Sequence, residues 1–502
     1  MSEAADPVVG AWLGRHLERW PDRLAVIGAD RELTYAELET DSTAIACGLV
    51  ARGVGRGEVV AVLSENLADV VVLLFACAKA GCLLAPLNWR LTPDELRPYI
   101  ELVGPRLLLA SDLQMPRART VRLPHDVSPV PLAGTLEDLR SAPATVDLPR
   151  TRLDDGLMLV ATSGSTGRPK AAVLTHRNFL ATNRALDAVV PISHEDVVLQ
   201  FLPQFHVGGW NVQPMEAWLH GATVVLEPVF DAGHVLSEIA ARGITTLACV
   251  PTPLLMLAEH PSFVSTDLSR LRDVVVGGAA APEHVVEQWL DRGVAVHQGY
   301  GLTEAGPNVL CLPSRLAKER PRAVGWPYPS VEVALADVDT GALVDGPGVG
   351  EVLVRGPGVF LGYWEDPDAT AEALADGWLH TGDVASRDAD GCHSIIGRKK
   401  EMFVSGGENV FPIEVERVIS TFPGITGAAV IGVPHDTWGE VGVAFVEQLP
   451  GACIEVDALE AHCRTRLAGY KVPARFIVLD ALPRTSLDKA DKVTLRGLAS
   501  SV

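Results

Sequence analysis

The stretch LMLVATSGSTGRPKAAVLTH, Leu157 to His176, decides how the chain is read. An apolar run, the pattern of a buried strand, ends in Thr162, Ser163, Gly164, Ser165, Thr166 and Gly167. A second apolar run follows Pro169 and Lys170. Glycine lets backbone N–H groups approach an anion closely, Ser and Thr add hydroxyl donors, and Lys170 adds a compact charge. The combination suits a polyphosphate. It is not a GxxxxGK[ST] loop, because the spacing from Gly164 is wrong. A plain flexible turn is the competing reading.

Working outward, strand-like runs such as EVVAVLSEN (58–66) and GATVVLEP (221–228) alternate with helical stretches to about residue 330. Thr34 with Glu37, and Thr92 with Glu95 behind Pro93, are capping boxes and predict helix starts. The apolar run Val70 to Ala78 is about half a membrane span and reads as a buried helix. Residues 330–395 are rich in Val and Gly with turn signals, which predicts a small β-rich subdomain. Pro412 can open a helix, and Pro423-Gly424 would stop it. The expected architecture is α/β: a large N-terminal domain, 1–398, of two parallel-type α/β sheet subdomains plus the β-rich one. A small α+β C-terminal domain, 399–502, follows a boundary at Arg398 to Lys400.

A chain of 502 residues is too long for one ordinary core. Its net charge of −21 argues against nucleic acid and anionic lipid as partners, though a pocket can still be locally positive. Eight scattered cysteines without CxxC spacing or a nearby His cluster argue against zinc and suit a reducing cytosol. MSEAADPVVGAWLG does not read as a signal peptide, so a cytoplasmic protein is expected. Lysine is scarce, eight against 34 arginines, and four of the eight (Lys170, Lys399, Lys400, Lys489) fall in segments suited to chemistry on other grounds.

Further segments add weak signals. In HQGYGLTEAGP (297–307) an aromatic ring could stack on a base, Thr303 could touch a phosphate, and Glu304 could hold Mg²⁺ through oxygen. Asp383 in WLHTGDVA suits two ribose hydroxyls, and Arg398 lies in IIGRKKEMF. Singly, an Asp after Gly is an ordinary turn residue and a lone Arg an ordinary surface group.

Taken together and in order, TSGSTGRPK, GGAAA (277–281), GYGLTE, TGD, GRKKE and LPRTSLDKADK resemble the adenylate-forming superfamily of acyl-CoA ligases, nonribosomal adenylation domains and beetle luciferase. The resemblance covers nearly the whole chain. It implies a two-step reaction in which a carboxylate attacks the α-phosphate of ATP to give an acyl-adenylate and pyrophosphate, and a thiol then displaces AMP. Such chemistry is mostly positioning and charge neutralisation. By motif, the loop Thr162 to Gly167 with Lys170 would hold the β- and γ-phosphates. Gly277, Gly278, Ala279, Ala280, Gln298, Gly299, Tyr300 and Gly301 would frame the adenine. Thr303 would bind phosphate, Glu304 Mg²⁺, and Asp383 with Arg398 the ribose. Lys489 would bridge the carboxylate and the α-phosphate in the first step. The C-terminal domain would then swing about Lys400 and bring Ser405, Gly406, Gly407 and Glu408 to the thiol tunnel.

The segments SGGENVFPIEVE, VPHDTWGEVGVAFV and GYKVPARF are similar to the CoA-ligase branch. Lys471 and Arg475 are candidates for the CoA phosphates, with solvated surface charge as the alternative. LPQFHVGGWNVQP (202–214) resembles the acyl-site segment, with His206 near the carboxylate and Val207, Gly208, Gly209 and Trp210 forming the wall. No Asp or Arg there could hold a second substrate charge, so an apolar monocarboxylic acid, bulky or cyclic, is expected. Two departures concern the first step: Ala171 replaces a usual Gly after Lys170, and Asp488 replaces a usual Gly before Lys489, with Asp491 nearby. The leading reading is a complete acyl-CoA ligase using ATP, Mg²⁺ and coenzyme A. One alternative is a thioester-forming enzyme that takes preformed acyl-AMP from a partner adenylating enzyme. Others are a stand-alone enzyme loading an acyl carrier protein and a silent binder. The sequence leaves a homo-oligomer open.

Overall fold

The computed structural model describes residues 7–123, 127–141, 146–163, 169–449, 451–484 and 490–499. By packing, the chain forms two units: Met1–Val333 with Leu353–His380, and Ala334–Val352 with Thr381–Val502.

Both capping boxes start helices. The Thr34 hydroxyl accepts from the Glu37 N–H and the Glu37 carboxylate accepts from the Thr34 N–H, opening helix Tyr35–Ala51. Thr92 and Glu95 do the same for Pro93–Val103. The apolar run lies in helix Ala68–Ala80, nearly all buried and ended by Gly81 in a left-handed conformation. Among the described residues no helix is long and apolar enough to cross a membrane.

The first unit carries two large sheets, with strands counted among the described residues. One has nine strands; six neighbours in it run parallel, in the order Ala295–Tyr300, Asp273–Val276, Thr246–Cys249, Val197–Gln200, Thr223–Leu226, Leu24–Ile27. The other has seven, with Pro129–Pro131, Leu107–Ala110, Val59–Leu63, Leu83–Leu87 and Gly156–Ser163 parallel. The sheets are mixed rather than wholly parallel. Antiparallel strands are added at their edges: Glu32–Thr34, Leu310–Leu312 and Trp326–Pro327 to the first, Pro169–Thr175 and, from far along the chain, Gly362–Tyr363 to the second.

The Val- and Gly-rich stretch forms strands Glu332–Ala336, Gly348–Arg355, Trp378–Arg387 and His393–Arg398. The division between units falls within it.

In the second unit, Ile425–His435 and Gly439–Gln448 form a long antiparallel pair, extended by Phe403–Ser405 with Glu408–Val410 and by the parallel strand Arg475–Leu479. Alternate residues face opposite sides. Val430, Ala444 and Val446 pack with Val415 and Ile419 of helix Pro412–Ser420 and with Leu459 and Cys463 of helix Val456–Arg464. Ala429, Ile431, Val443 and Phe445 pack with Leu495 and Ala499 of helix Lys492–Ala499.

Two predictions follow from this packing. Gly48 lies in helix Tyr35–Ala51, where an added Cβ would come within 2.2 Å of the Leu139 carbonyl oxygen. Ala gains about 1 kcal/mol over Gly in an open helix, but overpacking costs about 1–3 kcal/mol, so Gly48→Ala lowers the melting temperature of the first unit.

In the second unit Lys492 Nζ lies 2.7 Å from Glu401 Oε2 and 3.0 Å from Glu416 Oε1. Burial would raise the Glu401 carboxyl, but Lys492 draws it below its ordinary value. Burial would lower the Lys492 ammonium, but Glu416 and Glu401 hold it above its own. The Glu401 contribution is therefore complete above the unfolded carboxyl pKa of about 4.3 and is lost as pH falls through the lower folded value. The Lys492 contribution is complete below about pH 10.4 and is lost as pH rises through the raised folded value. Glu401 is 33% exposed, so Lys492→Met costs about 2 kcal/mol at neutral pH, less than for an enclosed pair. Hydrogen exchange of Lys492–Ala499 reads that loss, and the gap from the parent closes below about pH 4 as Glu401 protonates.

Candidate active site

Strands Gly156–Ser163 and Pro169–Thr175 pair antiparallel, with Thr162 opposite Lys170 and Ser163 opposite Pro169. They bracket the expected phosphate loop; Gly164, Ser165, Thr166 and Gly167 lie outside the described residues. Leu157 to Val160 are fully buried, which anchors one side. Ala171 sits inside the second strand opposite Ala161, fully buried and without a positive φ. An extended position takes Ala as readily as Gly, so the expected backbone restriction at Ala171 does not arise.

Lys170 Nζ lies 4.7 Å from the centre of the Tyr363 ring. The Tyr363 hydroxyl donates to Glu304 Oε1 at 2.9 Å. Tyr363 arrives by pairing Gly362–Tyr363 against Val173 and Ala172. Thr303 and Glu304 share the short 3₁₀ turn Thr303–Ala305. Its entry is fixed by Gly301, where a Cβ would sit 1.3 Å from the Pro307 carbonyl oxygen, and its exit by Gly306 at φ +92°. The sequence reading missed Tyr363. Its only local signal is a ring after Gly in GYW, and its partners are 59 residues away and further.

The expected adenine segments meet at the carboxyl ends of parallel strands, where open α/β sheets bind ligands. Val276 pairs with Gln298, so Gly277, Gly278, Ala279 and Ala280 emerge beside Gly299, Tyr300 and Gly301. A Cβ on Gly277 would lie 3.7 Å from the Gly299 oxygen. Gly278 has φ +81° and is exposed, as are Ala279 and Ala280. Gln298 is buried, with its amide 3.4 Å from the Pro321 oxygen. Tyr300 is half-buried, opposite Leu310.

The expected acyl segment leaves the same sheet after strand Val197–Gln200. Gln200 Nε2 donates to the Gly209 oxygen at 2.6 Å and the Leu202 oxygen at 3.1 Å. The Gln204 N–H donates to Asn66 Oδ1 at 2.9 Å. Gly209 is forced, since a Cβ would lie 2.3 Å from the Pro203 oxygen. His206 is half-buried with its ring 4.5 Å from that of Phe205, Val207 is buried and Gly208 is half-buried. Trp210 is fully buried and its indole N–H donates to the Gln204 oxygen at 2.6 Å, which braces the turn. Asn211 Nδ2 donates to the Gly306 oxygen at 3.3 Å, and Asn308 Nδ2 to the Asn211 oxygen at 3.0 Å. These amides, which the sequence reading also missed, join the His206 turn to the Glu304 turn.

In the second unit, Asp383 and Arg398 face each other across paired strands and form an ion pair at 2.7 Å, with Asp383 buried and Arg398 exposed. Lys400 is exposed on the 3₁₀ turn Lys399–Glu401, and Lys399 pairs with Glu351 at 3.0 Å. Ser405 and Glu408 pair across a two-residue turn in which Gly406 and Gly407 have φ +62° and +86°, the glycine-demanding hairpin geometry. Lys471 pairs with Glu414 at 2.5 Å, and Arg475 donates to the Ala499 oxygen at 3.0 Å at the end of the last helix. Both candidate CoA cations thus have internal partners. Lys489 and Asp488 lie outside the described residues. Asp491 has partners of its own. It accepts from the Thr494 hydroxyl at 2.6 Å and from the Val493 and Thr494 N–H groups, capping helix Lys492–Ala499. Thr494, by side-chain and backbone hydrogen bonds, holds its carboxyl below the ordinary range.

Residues 13–364 match the AMP-binding enzyme family, and 414–489 match the AMP-binding enzyme C-terminal domain. A feruloyl-CoA synthase of Amycolatopsis sp is 40% identical over 97% of this chain and 98% of its own length. An indoleacetate–CoA ligase of Aromatoleum aromaticum is 37% identical over 97% and 98%. The o-succinylbenzoate CoA synthetase of Bacillus subtilis, solved with its acyl-adenylate intermediate, superposes with a TM-score of 0.87 at 29% identity over 97% of each chain. The same enzyme is known in complex with ATP and a magnesium ion. The paired loop strands, the turn holding Thr303 and Glu304 and these matches agree: the chain belongs to the adenylate-forming superfamily, in its acyl-CoA synthetase branch of AMP-forming acid–thiol ligases.

Proposed function

We propose that the chain converts an apolar, bulky or ring-bearing monocarboxylic acid to its CoA thioester through acyl-AMP. The observation that carries this reading is the make-up of Leu202–Pro214. It holds no Asp, Glu, Lys or Arg, and Gly208 and Gly209 keep side-chain bulk off the turn. The polar groups that hold the turn, Gln200, Asn66 and Asn211, spend hydrogen bonds on main-chain atoms, which leaves His206 as its titratable group. A second carboxylate or an ammonium on the substrate would meet no opposite charge from the segment itself, and the neighbouring Arg90 guanidinium is taken up by the Trp89 and Phe205 rings. The relatives named for feruloyl and indoleacetate groups support an aromatic acid.

On this reading Lys170 and the loop before it neutralise the β- and γ-phosphates while the acid attacks the α-phosphate, and Lys489 bridges the two reactants. Asp383 and Arg398 hold the ribose, and Gly277–Ala280 with Gln298–Gly301 frame the base. A hard cation suits the Glu304 carboxylate and the Thr303 hydroxyl, both oxygen donors, and when bound Mg²⁺ would supply charge neutralisation at the phosphates. The hinge lies at Lys400, and the Ser405–Glu408 hairpin serves the thiol step. The reaction is placed in the cytoplasm.

A second reading, thioester formation from preformed acyl-AMP only, retains one supporting feature. Asp488 puts a negative charge beside Lys489. Ala171 gives it no support, because it lies in an extended strand.

Pyrophosphate release with ATP, Mg²⁺ and a panel of apolar acids, run beside thioester formation from synthetic acyl-adenylates and CoA, tests both readings. Activity in both assays, best with an aromatic acid, is expected. Thioester formation without pyrophosphate release establishes the second reading, and Asp488→Gly then restores release. A preference for dicarboxylates or amino acids refutes the apolar pocket.

A further inference from the structure

Lys170 and Glu304 carry opposite charges and both touch one side chain, Tyr363. They form no ion pair with each other among the contacts within 4 Å. A direct pair would neutralise the ammonium meant for phosphate and the carboxylate meant for a cation. We infer that Tyr363 is a positioning residue that keeps these two groups apart and oriented, its hydroxyl holding one oxygen of Glu304 and its ring face holding the Lys170 ammonium. The inference rests on the ATP site proposed above.

The geometry follows from strand register. Tyr363 lies opposite Ala172, and Lys170 is two residues along the same strand, so its side chain is the diagonal neighbour of the Tyr363 ring. A ring face attracts a cation without removing its charge, and releases it when phosphates arrive. The hydroxyl donates to Oε1, while Oε2 has no hydrogen-bond partner among the described residues. One carboxylate oxygen is therefore fixed and the other is left for a cation. The grip is doubled on the main chain, because the Phe360 N–H donates to the Glu304 carbonyl at 2.9 Å. Tyr363 is itself fixed by its N–H to Thr370 Oγ1 at 2.9 Å and by edge contact with Phe360, ring centres 4.9 Å apart.

The test uses the full chain and Mn²⁺ with ATP as the probe, read by electron paramagnetic resonance of free Mn²⁺. Tyr363→Phe keeps the ring and removes the donor, and weakens Mn²⁺·ATP binding about tenfold, as expected for one hydrogen bond to a charged group. Tyr363→Leu also removes the ring and weakens it further, as Lys170 is freed to pair with Glu304. In both variants thioester formation from synthetic acyl-adenylate stays within about twofold of the parent, which a merely structural brace would not spare. Parental Mn²⁺·ATP affinity in Tyr363→Phe overturns the proposal. So does a parallel fall of both half-reactions. Glu304→Gln separates the two levels: if it weakens Mn²⁺·ATP binding while Tyr363→Phe does not, the positioning role alone fails. If Glu304→Gln binds as the parent does, the proposed cation site fails and the positioning role with it.

Discussion

The antiparallel pairing of Gly156–Ser163 with Pro169–Thr175 is the constraint on which the rest of the first unit's site depends. It brings both ends of the Gly/Ser/Thr loop to one place and aims Lys170. It also offers a free edge, on which the two-residue strand Gly362–Tyr363 docks. Through that strand, Tyr363 and Phe360 grip the side chain and the main chain of Glu304. This strand pair thereby sets the geometry of a carboxylate near 304 by way of a ring near 363. Backbone ladders suit this task because their register is fixed to one residue.

Around that hairpin the structure relies on main chain packed against main chain. Side chains larger than hydrogen are excluded at Gly209 and Gly301, where carbonyl oxygens of Pro203 and Pro307 occupy the space of a Cβ. Two turns, one holding His206 and one holding Thr303 and Glu304, are drawn in this way to the same edge of the nine-stranded sheet. Buried amides of Asn211 and Asn308 then bridge them. Buried amides whose hydrogen bonds reach specific carbonyls favour one arrangement over alternatives.

Charge is handled by local pairing. In a chain of net charge −21, two candidate cations of the second unit each have a carboxylate within reach. Arg398 lies on Asp383 and Lys471 on Glu414. For Arg398 and Asp383 the pairing holds two expected ribose ligands in register. For Lys471 and Arg475 the internal partners mean that a CoA phosphate would compete with existing contacts. The same logic changes how departures from the family pattern weigh. Asp491 looked like an unfavourable charge beside a lysine, yet it caps a helix. Ala171 looked like a lost glycine, yet it lies in an extended strand.

The sequence by itself determined what is local. Capping boxes at Thr34 and Thr92, the buried helix under Val70 to Ala78, the alternation of strands and helices and the ordered motifs all depend on contacts within a few residues or on residue chemistry alone. The segments at 277–280 and 298–301 were singled out by their ordered motifs, and each leaves the end of a strand. Tertiary structure decided what is non-local. The docking of Gly362–Tyr363 on the edge of the second sheet and the Asn66, Asn211 and Asn308 braces join residues far apart in the chain. Tyr363 is the clearest case: a tyrosine in GYW reads as half of a short strand. Only the register against Ala172, set by backbone hydrogen bonds between strands about 190 residues apart, puts its ring on Lys170 and its hydroxyl on Glu304.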